Sequence, residues 1–197
     1  MEFEIKRALP EDGDRLTAIM EEVTEGLANP AWFVDDDAEY IKAHVGHIPV
    51  KAGDCGFILK AVCMEEGQEE TAGFFMVDFP GTGDRNLGHH ILLEGERLIK
   101  VAHMDSVVIL PKYRGHKLQY KLIEAAEEIL RQETDYEIWM ATVHPDNKYS
   151  LDNVQALGYQ IVAEAKKYGG YPRYVLMKER GIERRKEENQ HGRTIDG

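Results

Sequence analysis

Two groups of residues in this chain are of types and spacing that can do chemistry. The first is the run Val107-Val108-Ile109-Leu110-Pro111-Lys112-Tyr113-Arg114-Gly115-His116-Lys117-Leu118-Gln119. An apolar strand meets a Pro, then an Arg-Gly turn, then an amphipathic helix. Such a junction leaves unpaired N–H groups of the first helical turn on one rim. With the helix dipole they form a socket for a multiply charged anion such as pyrophosphate. The second group lies upstream on the same strand. His103 and Asp105 are two residues apart, so they share a face, and either can accept a proton.

The elements that must position these groups follow from composition and periodicity. A chain of 197 residues, 43% apolar, suits one domain with a sizeable core. The 36 acidic and 24 basic residues leave a formal charge of −12. That argues against a nucleic-acid partner, which calls for a basic face. It favours a cationic substrate such as an amine through long-range attraction, although the total alone needs no more than a solubility role. No apolar run is long enough to span a membrane, and Met1 to Arg7 holds no signal core, so no membrane partner is expected. Cys55 and Cys63 lack metal-ligand spacing, and His89-His90 is adjacent rather than spaced, so no metal is expected. A reduced, cytoplasmic protein, monomer or homodimer, fits these features.

Residues 3–7 alternate as a first strand, and Pro10 opens a helix over 11–27 whose apolar stripe is Leu16, Ile19, Met20, Val23 and Leu27. Asn29-Pro30 breaks it, and a second helix is predicted over 37–46. Strands at 56–64 and 71–79 form a hairpin around a charged turn. The stretch 85–100 has weak periodicity and no clear structure. A strand over 101–110, a helix over 116–132, and a nearly continuous apolar strand over 136–143 follow. Asn147 to Leu157 reads as a short helix closed by Gly158, and strands at 159–165 and 173–178 complete the order. The result is an α/β fold, a mixed and mostly antiparallel central sheet flanked by helices, with one crossover helix between neighbouring strands. The domain is placed at residues 1–180, and 181–197 is a polar C-terminal tail.

That order, with Tyr113-Arg114-Gly115 between strand and crossover helix, resembles the GNAT N-acetyltransferase superfamily over roughly residues 3–179. The family signature runs Gln or Arg, two variable residues, Gly, one variable residue, Gly or Ala. Arg114 fills its first position. The segment His144-Pro145-Asp146-Asn147 to Leu157-Gly158-Tyr159 is similar to the family's second cofactor segment, in which an Asn opens a helix that closes with Gly-Phe or Gly-Tyr. Lys117 and Gln119 stand where the signature has small residues. With ordinary helical dihedrals Lys117 costs little, and its ammonium either touches phosphate or faces water. Gln119 is expected to point away and to matter through its backbone. Val154 stands where many members carry a proton-donating Tyr.

The resemblance implies the acyl-CoA N-acyltransferase fold, acetyl-CoA as co-substrate, and transfer to a primary amine of a small molecule or peptide. It implies that the backbone of Val107, Val108 and Ile109 pairs with the pantetheine arm, as an added strand would. The amides from Arg114 through Gly115, His116, Lys117 and Leu118 to Gln119 would hold the pyrophosphate, with Arg114 a direct charge partner. Asn147 would bond the arm near the sulfur or simply cap its helix, while Asn153 braces its surroundings. Asp105 is the expected base, or else bonds a neighbouring amide or Ser. Ser150 or a water would protonate the departing thiolate in place of Tyr. The acceptor site draws on Trp32, Phe33, Asp35, Asp36, Asp37, Tyr40, Tyr168, Tyr171 and Arg173, aromatics and carboxylates suited to a cation, though the Asp run also suits a solvated helix start. The competing readings are a module that binds acetyl-CoA without turnover and a generic nucleotide-binding domain.

Overall fold

A computed structural model describes residues 1–34 and 36–181. Asp35 and all of the expected tail beyond Gly181 lie outside the described residues. Among the described residues seven strands form one sheet: β1 (Glu4–Arg7), β2 (Gly56–Glu65), β3 (Gln68–Asp78), β4 (Val101–Ile109), β5 (Ile138–Val143), β6 (Gln160–Lys167) and β7 (Tyr171–Glu179). Their order is β1-β2-β3-β4-β5-β7-β6, and every pairing is antiparallel except β4 with β5. The helices are α1 (Gly13–Glu25), α2 (Ala38–Ala43), α3 (Gly95–Ile99), α4 (Leu118–Glu133) and α5 (Lys148–Ala156). The mixed sheet flanked by helices is the arrangement expected from the sequence.

Consecutive burial of Phe57, Ile58 and Leu59 shows that both faces of the central strands are covered. The apolar stripe of α1 (Leu16, Ile19, Met20, Val23) and that of α4 (Leu118, Leu122, Ala126, Leu130) enter the same core as Trp139 and Phe74. The helix expected over 11–27 begins later, because Pro10–Asp12 forms a separate 3-10 turn. The hairpin turn is shorter than expected: only Glu66 and Gly67 are left unpaired, both with positive φ, as a tight two-residue turn requires. The stretch 85–100 holds a 3-10 turn at Leu87–Ile91 and the short α3, both packed through Leu87, Leu93 and Leu98 on a second apolar cluster with Val101, Ile138 and Val175.

Two irregularities of β4 shape the site. Parallel pairing with β5 covers only Val101, Ala102 and His103 against Ile138, Trp139 and Met140. Past that point the two strands part. Against β3, Val77 pairs with Met104 but Phe75 pairs with Val107, so Asp105 and Ser106 together oppose one residue, Met76. This is a β-bulge, which bends the strand and re-aims its side chains. Gly73 lets β3 approach β4 closely there: a Cβ on it would lie 2.3 Å from the Val108 carbonyl oxygen.

Candidate active site

The gap between β4 and β5 opens into a cavity of about 390 Å³ lined by Val107, Val108, Ile109, Arg114, Gly115, Leu118, Gln119, Asn147 and Ser150, with Asp105 and Thr142 at its inner end. The sequence-predicted residues of strand, turn and second helix therefore meet in one place. Trp32 and Phe33 also reach this cavity, where they were expected in the acceptor site. A second cavity of about 130 Å³ lies beyond and is lined by Asp36, Tyr40, Arg85, His103, Asp105, Thr142, Lys167 and Tyr168, among others. Asp105 and Thr142 border both.

The turn after Pro111 is open. Pro111–Tyr113 is a 3-10 turn whose carbonyl at Pro111 takes the Arg114 N–H. The N–H groups of Gly115, His116, Lys117, Leu118 and Gln119 donate to no described residue. Gly115 has φ +85 with free space where a Cβ would stand. Five consecutive unpaired donors at the start of α4 fit an oxyanion group such as pyrophosphate. His116 itself turns away, its Nδ1 near the Tyr113 carbonyl and its ring on Phe3.

The condition under which Lys117 would cost little is not met, and one expectation is corrected. Lys117 does not have helical dihedrals; it caps α4 at φ 58, ψ 28, a left-handed conformation that lysine adopts only at a cost. Its position is the signature's glycine, and the backbone keeps the glycine-like shape. Gln119 does not point away. It is 6% exposed, and its Nε2 donates to Ser150 Oγ at 3.0 Å while its Oε1 accepts from Asn153 Nδ2 at 3.4 Å. The long amide thus ties the start of α4 to α5. Asn147 caps α5 by accepting the Ser150 N–H, and Asn153 also donates to the Tyr149 carbonyl, a bracing role. Val154 is buried in the core.

Asp105 sits on the bulge. Its Oδ2 accepts the Tyr40 hydroxyl at 3.1 Å, and its Oδ1 has no hydrogen-bond partner among the described residues. Burial, then the Asp36 and Asp78 carboxylates, push its carboxyl up to about 7, against the Tyr40 hydrogen bond. Ser106, its neighbour on the bulge, donates instead to Asp36 Oδ2 at 2.7 Å. Tyr40 takes an Arg85 Nη1–H at 2.9 Å, and burial raises its own pKa, so it remains a fixed donor.

Behind this pair lies Asp78, the last residue of β3. Arg85 Nη2 donates to its Oδ1 at 2.6 Å and His44 Nε2 lies 2.9 Å from the same oxygen. Burial alone would raise Asp78, but hydrogen bonding to His103 and His44 and the Arg85 charge hold it well below the usual carboxylate range. His44 also faces the Tyr40 carbonyl through Nδ1, at 2.7 Å. Both ring nitrogens face acceptors. Burial disfavours the charged ring, yet the Asp78 and Tyr40 contacts prevail and raise its pKa. His103 is different. Its Nε2 accepts the Leu87 N–H at 3.0 Å, which puts the ring proton on Nδ1, 3.3 Å from Asp78 Oδ2. Burial lowers its pKa and keeps it neutral, so of the two strand candidates only Asp105 has a free basic atom.

Of the other expected acceptor residues, Asp36, Tyr40 and Tyr168 line the smaller cavity, and Asp37 caps α2 by accepting the Tyr40 N–H. Arg173 is buried, its guanidinium over the Tyr168 ring at 5.1 Å. Tyr171 lines neither cavity. Sequence reasoning missed His44, Asp78, Arg85 and Lys167. Asp78 alone carried a local signal, a carboxylate at the end of an otherwise apolar strand.

The match to known proteins agrees with this geometry. Residues 24–159 match the model of the acetyltransferase (GNAT) family, and the chain belongs to that family. No curated protein matches it. Among solved structures, it is similar to an acetyltransferase of the GNAT family from Streptococcus pneumoniae, with 21% identity, TM-score 0.65, and 91% of this chain covering 100% of that one. It is also similar to Arabidopsis thaliana NAA60 in complex with acetyl-CoA, with 13% identity, TM-score 0.70, and coverage of 90% and 98%. A third is yncA of Salmonella typhimurium, a putative acetyltransferase with its cofactor acetyl-CoA, with 16% identity, TM-score 0.60, and coverage of 91% and 94%. At these identities the likeness is one of fold.

Proposed function

We propose that this protein is an acetyl-CoA-dependent N-acetyltransferase that moves the acetyl group directly to a primary amine of a small molecule or peptide. The observation that carries this reading is the wall shared by the two cavities. A donor in the larger one and an amine in the smaller one would meet at Asp105 and Thr142. Acetyl-CoA supplies an activated acetyl thioester. The free amides from Gly115 to Gln119 and the Arg114 guanidinium hold its phosphates, and the unpaired β4 edge from Val107 to Ile109 takes its arm.

A protonated amine is no nucleophile, so a base must take its proton. Asp105 Oδ1 has no partner among the described residues, and a carboxyl near 7 exists in both forms at neutral pH. On the other side, Ser150 accepts from Gln119, which leaves its own proton to donate toward the departing sulfur. A thiolate leaves readily enough that a weak donor suffices.

Thiol release from acetyl-CoA across a panel of amines tests this. Amine-dependent release is expected, with Arg114→Glu weakening acetyl-CoA binding about tenfold or more. The buried Val154 favours a second reading, a module that binds acetyl-CoA without turnover. Tight binding with no release for any amine would establish it.

A further inference from the structure

The smaller cavity contains a cation, Lys167, that pairs with no carboxylate among the described residues. Lys6, Lys60, Lys100 and Lys178 are, like Lys167, partly withdrawn from water, and each meets a carboxylate. Lys167, at the end of β6, meets none: its side chain makes no ion pair or hydrogen bond with a described residue, yet it lines this cavity. A part-buried charge without a partner is costly unless a ligand supplies the opposite charge.

Asp36, Asp105 and Tyr40 line the cavity too, and the Tyr40 hydroxyl bonds Asp105. Lys167 and Tyr168 come from the β6–β7 hairpin, and Arg85 comes from the connection after β3. Asp78, close behind, is already engaged by His44 and Arg85. His103, which also lines the cavity, is neutral and fixed by the Leu87 N–H. Asp105 Oδ2 is engaged by Tyr40, Asp36 Oδ2 by Ser106, and Asp78 Oδ1 by Arg85 and His44, and among the described residues no carboxylate pairs with Lys167. Burial lowers the Lys167 pKa and the Asp105 charge opposes that, as expected for an ammonium facing the same cavity as the carboxylate.

We propose that the acceptor is a small amine that also bears an acidic group, a carboxylate or a phosphate, with its amino end at Asp105 and its anion on Lys167. This rests on the acetyl-transfer reading and narrows it. A volume of about 130 Å³ fits a compact molecule of amino-acid size. A neutral or purely cationic amine would leave Lys167 as it is now, part-buried and unmatched.

The test uses matched acceptors: amino acids, their carboxamides, their decarboxylated amines and the corresponding aminophosphonates. The acids are expected to exceed the amides and plain amines by about tenfold or more in kcat/KM, about 1.4 kcal/mol. Carboxylate against phosphonate then decides which anion is preferred. Lys167→Met should raise KM for the acidic acceptors about tenfold and remove the gap between acid and amide. Lys167→Arg, which keeps the charge, should restore much of it. Plain amines working as well as the acids, or Lys167→Met slowing acids and amides alike, overturns the proposal. If no amine of any charge releases thiol, the acetyl-transfer reading fails instead. Calorimetry of the acidic amines with the unmodified protein and with Lys167→Met then decides the anion site separately, by loss or retention of binding.

Discussion

The Gln119 amide donates to the Ser150 hydroxyl across 3.0 Å, and so joins the first turn of α4 to the first turn of α5. The bond fixes a hydroxyl that otherwise rotates freely, and it uses the oxygen's lone pair rather than its proton. Ser150→Ala should lower kcat about tenfold. Gln119→Ala should lower it by a smaller factor, and the double variant should be no worse than Ser150→Ala alone, because both changes act on one group. Steady-state rates of the three variants check this; additive losses would show that the two residues act separately.

With Asp105 as the proposed base, its carboxylate is the active form, and its carboxyl is raised to about 7, so kcat/KM should fall as pH drops through about 7. Asp105→Asn should cost about a hundredfold or more in kcat and abolish that limb. A pH–rate profile of both proteins is the measurement.

Lys117 bears a backbone cost. At φ 58 a glycine has no Cβ to strain, so Lys117→Gly should raise stability by about 0.5–1 kcal/mol, less whatever the added freedom of the unfolded chain removes. Urea denaturation gives the value. A fall in stability would show that the lysine side chain makes a compensating contact.

Asp78 holds His44 and Arg85 in place. Its side chain is 1% exposed, and Asp78→Asn removes the counter-charge that faces Arg85 and His44 in its protonated form, at a cost of about 3–5 kcal/mol. The sign of the pH effect follows from His44. Its folded pKa is raised above 6.5, so its contribution is complete below pH 6.5 and is lost as pH rises through the folded value. Thermal melts between pH 5 and 9 should show that loss in the unmodified protein and a flatter curve in Asp78→Asn.

The parts of the fold legible in the sequence are those governed by local period and local breakers. The stripe of α4, the continuous strand β5 and the Asn147 to Gly158 helix follow from spacing alone, whereas the meeting of that helix with the strand and turn is what the family resemblance implied. The network behind Asp105 does not. Tyr40 and Asp105 are 65 residues apart, and His44 and Asp78 are 34 apart, so no window of sequence contains either pair. The stretch 85–100 was opaque for a similar reason: its 3-10 turn and short helix owe their form to Leu87, Leu93 and Leu98 packing on distant strands. Lys117 and Gln119 misled in opposite ways. One residue's backbone keeps a shape its side chain disfavours, and the other's side chain fills space that a smaller residue would leave open.

The bulge at Asp105 and Ser106 has a consequence for how this chain can change over generations. Because strand side chains alternate, the extra residue switches which surface everything downstream presents. Removing one amino acid there would regularise the ladder and, in the same stroke, rotate Val107 to Ile109 out of register with the carboxylate before them. Substitution at 105 or 106 is then graded in its effect, whereas any change of length is all or nothing.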